Sequence, residues 1–105
     1  MKLLELRTTV GNEDDARRLA DAAVGERLAA CVHRRPVASV YRWAGQVQHD
    51  SEIELAFVTT AAAAPALRAL ILAQHPYELP ALYAIELAEA SAPYREWVAQ
   101  STQGG

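Results

Sequence analysis

Residues 75 to 80 read HPYELP and set an imidazole, a phenol and a carboxylate (His75, Tyr77 and Glu78) between Pro76 and Pro80. Neutral imidazole is a good ligand for copper and zinc and titrates near physiological pH, so His75 is the chain's candidate metal ligand or proton carrier. A metal site needs further donors, and the adjoining sequence offers only Tyr77 and Glu78. The competing reading is structural. Pro76 and Pro80 fix the direction of a turn, while His75 and Tyr77 turn their polar ends toward backbone groups at a helix terminus.

Three other groups could do chemistry. Cys31 lies in the apolar run LAACV, where cysteine packs as a small hydrophobe; as a nucleophile it would need a base, and His33 falls on the same strand face. His33, Arg34 and Arg35 form the most concentrated positive run, suited either to a carboxylate or nucleotide phosphate or to blunting a solvated strand edge. Tyr41 and Trp43 alternate along a strand pattern and share a face with Gln48, Glu52 and Glu54, as partner-facing aromatics do. Glycine-rich phosphate loops, G-x-S-x-G, H-E-x-x-H and paired cysteines are all missing from the sequence. No catalytic residue is assigned, and the expectation is a protein that is not an enzyme.

These groups sit in a chain of 105 residues, which supports one domain and one core, expected over residues 1–100, with 101–105 as a flexible tail. Net charge is −3 with 10 Lys and Arg, so no basic stripe is available to follow nucleic acid. No apolar run approaches the roughly 20 residues of a membrane span. One cysteine suits a reducing compartment, and the expected setting is the cytoplasm.

The elements that position the candidates follow from periodicity. Residues 2 to 9 alternate as a strand; Asn12 caps a helix whose Ala16, Leu19, Ala20, Ala23 and Val24 form one stripe. From Leu28 the pattern turns β, with a break or bulge expected at Pro36 because proline cannot donate to a ladder. Val37 to Trp43 and Gln46 to Thr59 form a long hairpin about Ala44 and Gly45. Pro65 opens a second helix that ends at HPYELP, residues 81 to 88 make a fourth strand, and a short helix groups Tyr94, Trp97 and Val98. The order predicts an α+β, ferredoxin-like βαββαβ fold: an antiparallel sheet with both main helices on one face, plus a C-terminal helix.

Several segments together resemble the CutA divalent-cation tolerance family: RLAACV at 27 to 32, Ser39-Tyr41-Trp43-Gly45, HPYE with Pro80, and Tyr94 with Trp97. The resemblance implies a compact homotrimer linked to tolerance of copper and other divalent cations, with a trimer like that of the PII signalling proteins. It places Tyr41, Trp43, Tyr77, Pro76, Pro80 and Trp97 in structural or interface roles. It also implies a copper ligand set of a first-strand cysteine, the corner histidine and a glutamate after the last proline. Here those positions carry Arg7 or Thr8, His75 and Ala81, an incomplete set, so no cofactor is required and copper or another divalent cation rests on His75. The alternative is a PII-like signalling trimer that binds a small anion or nucleotide at subunit clefts through His33, Arg34 and Arg35.

Overall fold

In the computed structural model, which describes residues 1 to 103, the chain forms β1 (Leu3–Val10), α1 (Glu13–Gly25), β2 (Cys31–Trp43), β3 (Gln46–Thr60), α2 (Ala64–Gln74), β4 (Leu82–Glu86) and α3 (Ala92–Ser101). The strands make one antiparallel sheet in the order β2-β3-β1-β4, the ferredoxin-like arrangement the sequence predicts. Among the described residues no helix is long and apolar enough to cross a membrane.

Local chemistry explains the boundaries. The Asn12 side chain accepts the Asp15 N–H at 2.8 Å, and Glu13, Asp14 and Asp15 place negative charge at the positive end of α1. Pro65 stands in the first turn of α2, where no helical N–H is lost. At the other end His75 is extended (φ −71, ψ 132), because the residue before a proline is pushed out of helical geometry. Ala44 (φ 52) and Gly45 (φ 78) are both left-handed, the two-residue turn that matches strand twist and puts Trp43 opposite Gln46.

Alternation decides what each sheet face meets. Leu6, Val10, Leu55 and Phe57 face α1 and α2, where Leu19, Ala23, Leu67 and Ile71 complete a fully buried core. Each such large apolar side chain contributes about 1.5–3 kcal/mol on burial. Leu3 and Val58 lie at the opposite parity and so on the other face, where Val98 of α3 and Ala30 bury them. The sheet is thus wrapped on both sides at one end. At the other end β1 stops pairing at Val10–Ile53 while the hairpin continues, so residues 37–43 and 46–52 pair only with each other. This extension gives the chain principal extents of 45 × 25 × 20 Å.

Three expectations need correction. The ladder runs through Pro36, which pairs with Ile53 without a break, because β2 is an edge strand and its outward side needs no donor. Strands β2 and β4 are shorter at their ends than the alternation suggested, starting at Cys31 and spanning Leu82–Glu86. Residues 101–103 are held rather than frayed: Ser101 ends α3, Thr102 is buried, and Gln103 donates its N–H to Arg27 O at 2.7 Å and its side-chain amide to Glu26 O at 2.7 Å. Residues 104 and 105 of the expected tail lie outside the described residues.

Candidate functional site

His75 stands just past α2, against the end of β1. Its Nε2 lies 3.0 Å from Thr9 O and 3.0 Å from Thr8 Oγ1, and its Nδ1 accepts the Tyr77 N–H at 3.1 Å. The tautomer that satisfies these partners carries its proton on Nε2, donating toward Thr9 O. Thr8 Oγ1 in turn donates to Ala81 O at 2.6 Å. The first-strand position, the corner histidine and the residue after Pro80 therefore do meet in space. What meets there is an imidazole, a buried hydroxyl and a backbone carbonyl, where the resemblance implied a thiolate and a carboxylate.

That donor set does not fit a metal. Both imidazole nitrogens are taken by hydrogen bonds, a neutral hydroxyl is a poor ligand for copper, and Ala81 brings no side-chain donor. Arg7, the other first-strand position, points to the opposite face and donates to Glu5 Oε1 at 2.6 Å. Among the described residues no three His, Cys, Asp or Glu side chains are grouped as a metal site requires. Burial holds His75 below the ordinary imidazole range, which favours the neutral ring these contacts need.

Tyr77 ties the corner to the hairpin. Its hydroxyl donates to Glu52 Oε2 at 2.8 Å, and burial followed by that bond pushes the phenol well above its ordinary value. Its ring meets His75 edge-on at 5.0 Å between centroids. Between corner and hairpin lies a cleft of about 930 Å³ that Tyr41, Trp43, Tyr77 and Tyr83 line together with Glu52 and Pro80. Tyr41 and Trp43 face as the register predicts, with Gln48 and Gln46 opposite them, and both are exposed. The Tyr41 hydroxyl donates to Asp50 Oδ2, which raises the phenol above its ordinary value. Sequence reading placed Glu52 only on the face it shares with Tyr41 and Trp43 and missed its pairing with Tyr77, which joins residues 25 apart.

The basic run is not one patch. Strand alternation sends Arg34 to the helix face, where it pairs with Glu13 at 2.7 Å, and Arg35 to the other, where it pairs with Glu54 at 2.6 Å. Both guanidiniums are engaged with carboxylates, so the run offers no shared seat for an anion. Cys31 is half-buried rather than fully packed. Its Sγ lies 3.6 Å from Tyr94 OH, and burial pushes the Tyr94 phenol up to about 12. Trp97 stacks at a tilt on Tyr94, 5.7 Å between centroids, and remains 44% exposed.

Comparison with known proteins matches this architecture. The family model for the CutA1 divalent ion tolerance protein matches residues 5–101. The divalent-cation tolerance protein CutA of Thermus thermophilus is 43% identical over 95 residues, covering 90% of this chain and 92% of that protein. The human protein CutA is 38% identical over 96 residues, and the match covers 90% of this chain but 54% of the human protein, so the chain spans about half the length of that relative. The crystal structure of CutA1 from Oryza sativa superposes with a TM-score of 0.95 at 34% identity, covering 100% of this chain and 97% of that one. The chain belongs to the CutA1 divalent ion tolerance family.

Proposed function

We propose that the chain acts in divalent-cation tolerance as a homotrimer in the cytoplasm, without catalytic turnover and without a copper(II) site at His75. The match over residues 5–101 supports the tolerance role. The observation that carries the assembly is the hairpin beyond Ile53, which pairs only with itself and leaves Val40 65%, Val47 53% and Trp43 44% exposed. An unpaired apolar edge of this kind aggregates unless something closes it, and a closed ring of copies does so. Ile85 and Trp97 are exposed as well. The hydrogen bonds around His75 support a structural role for HPYELP in place of a metal role. No observation favours the anion-binding alternative, since Arg34 and Arg35 are engaged with Glu13 and Glu54.

Light scattering at micromolar concentration tests the assembly: three chain masses are expected, and a stable single chain would overturn it. Calorimetric titration with copper(II) tests the site. Weak or absent binding is expected, and a submicromolar affinity lost in His75→Ala would restore the metal reading.

A further inference from the structure

Among the described residues Glu52 is the one buried side chain of ionic type, with 9% of its surface exposed. It receives a single hydrogen bond, from Tyr77, and forms no ion pair with a Lys or Arg of its own chain. A carboxylate so far withdrawn from water is stabilised by a positive partner, and covering it further without one is costly. The cationic side of the chain has a matching gap. Of the 10 Lys and Arg, all but Arg42 and Arg68 reach a carboxylate or carbonyl oxygen within the chain. Arg68 is on the exposed side of α2, whereas Arg42 is on the hairpin extension whose apolar surface the ring of copies has to cover.

Strand alternation puts the two unmatched groups on opposite faces of the hairpin. Glu52 shares a face with Tyr41 and Trp43; Arg42 shares the other with Val40 and Val47, and both faces leave apolar side chains exposed. Both groups border the cleft between hairpin and corner, yet within one chain they do not meet. Glu52 pairs with Val37, five positions from Arg42 along β2, which is about 16 Å. A threefold ring closes head to tail, so one face of each hairpin meets a different face of the next copy. A buried carboxylate on one face and a free guanidinium on the other are the complement such a contact needs. The surroundings of Glu52 suit arginine in particular. Tyr41, Trp43, Tyr77 and Tyr83 line the cleft, and a guanidinium stacks on aromatic rings while its planar fork bonds a carboxylate. Hiding these rings also removes the last water from Glu52, so the surface that covers them has to bring a positive charge.

We propose that Arg42 of each copy enters the cleft of the neighbouring copy and pairs there with Glu52, once at every interface of the ring. The inference rests on the threefold assembly proposed above and names the contact that fixes its register.

The test follows the full chain by light scattering through a dilution series and reads the concentration at which three-chain particles fall apart. Arg42→Gln strands the buried carboxylate and should raise that concentration about tenfold or more, with Arg42→Lys intermediate. Arg68→Gln should leave it unchanged. In a chain that already carries Glu52→Gln, Arg42→Gln should have little further effect, since the two changes remove one contact. If Glu52→Gln fails to fold, the Arg42 variants decide, because Arg42 is exposed and has no partner in its own chain whose loss would disturb the fold. A wild-type chain that stays single overturns the assembly and this pairing together. A wild-type trimer that Arg42→Gln leaves equally tight overturns the pairing alone. So does an Arg42→Gln effect that is undiminished in the Glu52→Gln chain, which would place the guanidinium against another group.

Discussion

Tyr77 joins two parts of the chain that sequence order keeps apart, and its hydroxyl is the only donor that reaches the Glu52 carboxylate among the described residues. Removing the hydroxyl in Tyr77→Phe leaves a nine-tenths buried carboxylate without a donor, at an expected cost of about 1–3 kcal/mol in urea denaturation. A loss of only a few tenths would show that water replaces the phenol. His75 carries a pH dependence with a definite sign. Its folded value lies below the 6.5 of the free imidazole, so the unfolded chain takes up its proton first as pH falls. The stability His75 contributes is complete above about pH 6.5 and declines below it, toward the folded value. Thermal melts at about pH 8 and pH 5 should therefore show an acid-side loss that His75→Gln reduces. An unchanged profile in the variant would assign the acid loss to other groups. The residue types at this corner were plain in the sequence; their roles were not, because Thr8 and Thr9 reach His75 only through the fold.

At the scale of elements, proline and glycine punctuation was the most legible signal. Asn12, Pro65, Pro76 and the Ala44–Gly45 turn all mark boundaries that the chain observes. Pro36 misled, because a proline reads the same in an edge strand as at a break, and only the strand order β2-β3-β1-β4 tells them apart. Leu3 shows a related limit: alternation in residues 2 to 9 marks a strand with two faces, and only the fold shows that α3 buries the second face at this end. The corner itself gives a prediction at this scale. Pro76→Ala and Pro80→Ala should each lower stability by about 1 kcal/mol, chiefly by giving the unfolded chain more conformations. The measured quantity is the urea midpoint, with its slope unchanged. An increase in stability for Pro76→Ala would mean that α2 gains a turn once the restriction on His75 is lifted.

For the whole molecule, α1 and α2 on one sheet face, α3 on the other and the free hairpin divide the chain into a wrapped end and a bare end. The wrapped end is fastened twice. Arg95 donates to Met1 O, and Gln103 bonds Glu26 and Arg27 across the loop that precedes β2. These links span most of the chain, as does the contact between Cys31 and Tyr94, 63 residues apart, which is why periodicity alone did not reveal them. The bare end has the ladder between residues 37–43 and 46–52 and the tie from Tyr77 to Glu52 at its base. The two ends should therefore exchange their amide hydrogens on separate clocks. Protons around Leu6 and Phe57 leave only when the domain opens as a unit, whereas those near Trp43 and Gln46 leave whenever the hairpin tip frays. Each chain carries its own fast reporter of what covers it: the tip's exchange rate falls when a second surface docks there and recovers when that surface departs.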